Sequence, residues 1–139
     1  MRFAKIVFTV AGVYGLLVLV PQYFLEEKYG HNFPPPVTHP EHYYGFVGLA
    51  AVWQLAFLMI ARDPVRYRPL MIVAVLEKLS FGLAVPTLFA LGRVAPLVLA
   101  PAGVDLLLAA LFVAAYLKTP RRKPPAAQSL VDGDDHEDD

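Results

Sequence analysis

Three ionisable residues lie within long apolar stretches of the chain, where charge is expensive. Glu77 and Lys78 are neighbours in one such stretch, and Asp105 lies in another. A charged side chain at the centre of a bilayer costs at least about 2.5–3.5 kcal/mol, so it needs a partner, a proton or water. Glu77 and Asp105 are therefore the candidate catalytic residues, and all three residues are candidates for a ligand-binding site.

The positions of these residues along their predicted helices place them at similar depth. Glu77 is expected about 12 Å from the cytoplasmic end of its helix and Asp105 about 20 Å from that same side. Gln54, in a third apolar stretch, is about 15 Å from the opposite side. Three helices would thus bring polar side chains together, and we expect Lys78 to pair with Asp105.

Glu77 and Lys78 should point about 100° apart on one helix, so the spacing predicts that they do not pair. Glu77 is instead expected to face Ser80, Gln54 or Tyr14. Two carboxylates and one ammonium leave one negative charge in excess, and we expect a proton on Glu77 to balance it. The predicted ligand-binding set comprises Gln54, Glu77, Lys78, Ser80 and Asp105. The alternative is structural: such groups can hold helices in register through hydrogen bonds.

The composition indicates that lipid surrounds most of the chain. Hydrophobic residues make up 57% and charged residues 17%, against about 25% charged residues in a typical soluble domain. There is no cysteine, which excludes disulfides, thiolate metal sites and a cysteine nucleophile. The sequence has no continuous basic face, so it does not predict nucleic-acid binding.

Four apolar segments are each close to the roughly 20 residues that cross a bilayer as a helix. They run approximately over residues 3–25, 44–61, 70–91 and 95–117. The sequence therefore predicts an all-α integral membrane four-helix bundle over residues 1–118, followed by a disordered cytoplasmic tail over 119–139. A secretory signal peptide is the alternative interpretation of residues 1–25, but no small-residue cleavage site precedes Pro21.

Basic residues predict the orientation of the bundle. Those at the start of the chain, between the second and third segments and after the fourth would share one side, which the positive-inside rule makes cytoplasmic. They are Arg2, Lys5, Arg62, Arg66, Arg68, Lys118, Arg121, Arg122 and Lys123. We therefore expect a multi-pass protein of the bacterial inner membrane, with both termini cytoplasmic.

The connection after the first helix is rich in proline and histidine and is expected on the outer side. Pro34–Pro36 favours a stiff polyproline II segment over the mouth of the bundle. His39, Glu41 and His42 have ligand types that suit zinc or another divalent ion. The alternative, which we favour, is a surface loop whose histidines form hydrogen bonds or cap the start of the second helix. Thr38-His-Pro-Glu41 also resembles a capping box, with Thr38 as the cap and Glu41 as the third helical residue.

The layout of these parts resembles the broad group of small four-helix bacterial membrane proteins that includes the DoxX-like families. The resemblance is carried by Tyr44-Gly45-Phe46-Val47-Gly48 at the start of the second helix and by Glu77-Lys78 in the third. It covers about residues 1–118 and implies a polar outer loop after the first helix and acidic residues in later helices. It implies no particular catalytic residues or cofactor.

The sequence leaves three classes of function open. The first is a non-enzymatic bundle that binds a hydrophobic ligand, such as a quinone, or serves as an accessory subunit of a larger membrane complex. The second is a membrane oxidoreductase component or isomerase in which Glu77 or Asp105 transfers a proton. The third is proton-coupled transport, for which four short helices would have to form a homo-oligomer.

Overall fold

The computed structural model describes residues 1–122, which are helical, without a β-strand. The helices are α1 (Arg2–Leu19), α2 (Glu26–Asn32), α3 (Pro40–Arg62), α4 (Arg68–Ala90) and α5 (Leu99–Lys118). Short 3₁₀ turns, Val20–Phe24 and Pro96–Val98, follow α1 and precede α5. With these turns included, α1, α3, α4 and α5 are long and apolar enough to cross a membrane. The predicted all-α class and the four apolar helices are confirmed.

The four long helices are arranged as two closely packed pairs. Helix α1 packs along α3, and α4 packs along α5. Contacts of α1 with α5 join the pairs, whereas α3 and α4 touch at few positions. The large apolar side chains that face outward include Leu17, Leu49, Leu83 and Leu107. Such an apolar exterior fits a bundle whose solvent is lipid.

Tight packing is concentrated in one half of the bundle. Phe8, Phe57 and Phe112 are fully buried there. The rings of Phe8 and Phe112 stack with centroids 4.2 Å apart, and Phe57 meets Phe112 edge-on at 5.0 Å. Around them lie the first turns of α1 and α4 and the last turns of α3 and α5. This aromatic floor (Phe8, Phe57 and Phe112) closes the bundle toward its basic end.

Beyond the aromatic floor, basic side chains form contacts between the start of α4, the start of α1 and the end of α5. Arg68 donates a hydrogen bond from Nε to the Thr119 carbonyl at 2.8 Å, and its guanidinium lies 3.8 Å from the centre of the Tyr116 ring. Lys118 lies 4.4 Å from the centre of the Phe3 ring. Thr119, assigned to the tail from the sequence, is buried and belongs to the bundle. Residues 123–139 of the predicted tail lie outside the described residues.

The start of α3 differs from the prediction. The N-cap residue is His39, which makes no side-chain capping hydrogen bond, and Pro40 is the first helical residue. The predicted capping box of Thr38 and Glu41 is therefore wrong. Pro40 explains the shift, because proline fits the first turn of a helix, where its missing N–H has no intrahelical partner.

Candidate functional site

A cavity of about 680 Å³ occupies the half of the bundle opposite the aromatic floor. It lies between α1, α3, α4 and α5 and reaches α2, so every helix of residues 1–122 contributes to its lining. Its size falls within the range of small-molecule sites, about 300–1,000 Å³. Most of the wall is apolar or aromatic, including Tyr14, Phe46, Trp53, Phe81 and Val104.

An ion cluster of Glu77, Lys78 and Asp105 lies in this cavity wall. Lys78 Nζ is 3.1 Å from Asp105 Oδ1, and it is 3.5 and 3.3 Å from Glu77 Oε1 and Oε2. The Lys78 side chain is 8% exposed and the two carboxylate side chains are each 18% exposed. The ammonium thus bridges α4 to α5 and is held between two acids.

The predicted Lys78–Asp105 pair is present, but the prediction for Glu77 is wrong. Glu77 contacts Lys78, its sequence neighbour, because both side chains bend toward the same point beside α5. The flexible side chains of Glu and Lys can reach across the 100° between neighbouring helical positions. Ionisable groups within a membrane span usually pair with one another, because charge is costly there. Glu77 Oε2 is buried, and no hydrogen bond of acceptable geometry reaches it from residues 1–122.

The ion cluster is adjacent to the aromatic floor. Lys78 Nζ lies 5.4 Å from the centre of the Phe57 ring, within the range of a cation–π contact. The cluster therefore sits at the boundary between the cavity and the tightly packed half of the bundle. A molecule in the cavity could reach the carboxylates but could not pass them without moving the aromatic rings.

Gln54 and Ser80 line the cavity without contacting either carboxylate through a hydrogen bond. Gln54 Nε2 donates to the Ala50 carbonyl at 2.9 Å, and Ser80 Oγ donates to the Glu77 carbonyl at 2.7 Å. Gln54 is 2% exposed and packs on Gly15 of α1, where a Cβ would overlap the amide. The five predicted ligand-binding residues thus share one cavity, but only the three ionisable ones form a cluster.

The sequence did not predict α2, which covers part of the cavity. Tyr43 donates a hydrogen bond to the Gln22 carbonyl at 2.9 Å, and Tyr44 donates to Glu26 Oε2 at 2.7 Å. The Tyr29 ring packs on Tyr43 at 5.2 Å, and burial raises the pKa of the Tyr29 phenol above its ordinary value. The signal in the sequence was the density of aromatic residues in a segment assigned to a loop.

The histidine-rich start of α3 brings its three candidate metal ligands together. Ligand atoms of His39, Glu41 and His42 lie within 4.8 Å of one another, and all three residues are exposed. His39 Nδ1 and Glu41 Oε1 are 3.3 Å apart and satisfy each other as a hydrogen bond. A structural zinc site takes four ligands, so these residues would supply an incomplete set.

Comparisons of the chain with protein-family models, with curated proteins and with solved structures found no match.

Proposed function

We propose that this chain is a small multi-pass membrane protein that binds a hydrophobic small molecule in the cavity. The observation that carries the proposal is the combination of a 680 Å³ apolar cavity with one ion cluster in its wall. Apolar walls with a few convergent polar groups are typical of ligand sites, where the polar groups fix the ligand's orientation. A cluster that only held helices in register would gain nothing from an open cavity beside it.

The limited contact between α3 and α4 supports the same proposal. Four-helix bundles usually pack all neighbouring helices around one continuous core. Here, the buried core occupies one half, the cavity lies in the other, and α3 and α4 contact each other at few positions. An apolar molecule dissolved in the bilayer could enter between α3 and α4 by displacing the rings of Phe46 and Phe81, which contact each other there with centroids 5.9 Å apart.

Filling the cavity tests this proposal. Ala50 lines the cavity, whereas Ala110 is exposed and is not part of its lining. We expect protein purified in mild detergent to carry a bound molecule visible by native mass spectrometry, and Ala50→Phe to lose it. Ala110→Phe is the matched control and should retain it. Equal occupancy in the two variants, or an empty wild-type protein that binds no added apolar compound, would contradict the proposal.

Proton transfer to or from the bound molecule is a second candidate function. It rests on the carboxylates of Glu77 and Asp105, which line the cavity and whose side chains are each 18% exposed. Such a carboxylate could accept a proton from a ligand held within hydrogen-bond reach. At ligand concentrations that still saturate the variant, Glu77→Gln should then abolish turnover, with turnover measured by product analysis and occupancy by native mass spectrometry.

Both termini are proposed to be cytoplasmic, since the basic ends of α1, α4 and α5 meet at one end of the bundle. The chain has no cysteine, so single cysteines can report the side directly. In intact bacterial cells, a membrane-impermeant maleimide should label Thr38→Cys, and should label Pro120→Cys only after lysis. Labelling of Pro120→Cys in intact cells would reverse the proposed orientation.

A further inference from the structure

The ion cluster offers acceptors to the cavity. The Lys78 ammonium, which has three N–H donors and no acceptor, donates to Glu77 Oε1 and Asp105 Oδ1. Its Nζ is also 3.3 Å from Glu77 Oε2, which has no hydrogen bond from residues 1–122. The two carboxylate side chains line the cavity and are each 18% exposed. A ligand that brings a donor can therefore bind at these carboxylates.

The charge of the cluster points to the same kind of ligand. Two carboxylates face one ammonium, so one negative charge is in excess and must be balanced by a proton or a cation. The only other charged residue in the lining of the described chain is Lys28. It is exposed on α2, beside Glu26 and Glu27, so it does not neutralise the cluster.

Aromatic side chains make up a large part of the wall between α1, α3 and α4. Tyr14, Phe46, Trp53 and Phe81 all line the cavity. The faces of aromatic rings attract cations, most strongly where water is excluded. The same rings also accommodate an apolar body, so the wall can receive both parts of an amphiphilic cation.

We infer that the ligand of this cavity is a hydrophobic organic cation, with a protonated amine at the ion cluster and an apolar body against the aromatic wall. This inference rests on the proposed function and specifies its ligand class. The ammonium group would donate to the Glu77 carboxylate and balance the excess charge. An anionic amphiphile would add to that charge, and a neutral quinone would leave it unbalanced.

Three probes that differ only at the polar end test the charge preference. They are 4-phenylbutylammonium, 4-phenylbutanol and 4-phenylbutyrate, added to the full-length protein in mild detergent. The chain has one tryptophan, Trp53, which lines the cavity, so quenching or enhancement of its fluorescence reports occupancy. We expect the ammonium probe to bind at least ten times more tightly than the alcohol, and the carboxylate to bind most weakly.

Matched variants locate the preference at the ion cluster. Glu77→Gln keeps the size of the side chain and should bring the ammonium and alcohol affinities to within about threefold of each other. Glu27→Gln makes the same chemical change at an exposed residue outside the cavity lining and should leave the tenfold preference unchanged. Ala50→Phe should abolish binding of all three probes, which separates the cavity from partition into detergent.

Each outcome decides between the inference and the function on which it rests. If wild-type protein binds the alcohol as tightly as the ammonium, or prefers the carboxylate, the cation inference is wrong and the cavity remains a binding site. If no probe binds while native mass spectrometry still shows a molecule that Ala50→Phe removes, the inference also fails and the proposed function stands. If neither experiment detects binding, both are wrong.

Discussion

Lys78→Met is expected to destabilise the bundle strongly, by about 3–5 kcal/mol in the free energy of unfolding, as is typical when one partner of a buried ion pair is removed. The Lys78 side chain is 8% exposed and lies between Glu77 and Asp105. Methionine fills similar space but leaves two carboxylates facing each other in the cavity wall. Unfolding by titration with sodium dodecyl sulfate, followed by Trp53 fluorescence, measures the change.

Removing the acids should restore much of the stability lost in Lys78→Met. The triple variant with Glu77→Gln and Asp105→Asn carries no charge at the cluster, so it lacks the uncompensated buried charge that makes the loss of one ion-pair partner costly. Lys5→Met, at an exposed position in the first turn of α1, is the matched control and should change the free energy of unfolding by less than about 0.5 kcal/mol. If Lys78→Met were as stable as Lys5→Met, the cluster would not be the buried ion pair described above.

The positions of the four long helices could be predicted from the sequence because each must satisfy its backbone hydrogen bonds internally in lipid. The pairing of Lys78 with Asp105 could also be predicted, because helical rise converts residue number into depth and places the two residues at similar levels. Depth does not specify which faces of the helices meet. The contact between Glu77 and Lys78 depends on side-chain rotamers. The 100° angle between neighbouring helical positions describes only where the side chains leave the backbone.

The separation of the bundle into a packed half and a hollow half could not be predicted from the sequence. The pattern of apolar residues is similar along the whole of α3 and α4, since lipid-facing and core-facing positions are both apolar in a membrane protein. Which half of the bundle is filled depends on how all the helices pack against one another. Helix α2 was missed because Glu26–Asn32 contains Gly30 and is too short to show a period.

Phe112→Ala should have the other large effect, because it removes the central ring of the aromatic floor. Phe112 is fully buried and contacts both Phe8 and Phe57. Replacing a buried phenylalanine by alanine costs about 3–5 kcal/mol in soluble proteins, from lost transfer energy and from the void left behind. Transfer contributes little between protein and lipid, so we expect about 3 kcal/mol here, measured by the same detergent titration.

Comparing a larger with a smaller replacement of Phe112 tests whether the loss of stability comes from packing of the ring. A general sensitivity of α5 to substitution would give similar losses at Phe112 and at exposed positions. Phe112→Leu retains most of the side-chain volume and should cost about 1–1.5 kcal/mol, as other apolar replacements of similar volume do. Val113→Ala, at an exposed neighbouring position, should cost less than about 0.5 kcal/mol. Equal losses for Phe112→Ala and Val113→Ala would show that the ring stack does not stabilise the bundle. The void left by Phe112→Ala lies beside Phe57, whose ring Lys78 contacts. We therefore also expect this variant to weaken binding in the cavity, whereas Val113→Ala should leave binding unchanged.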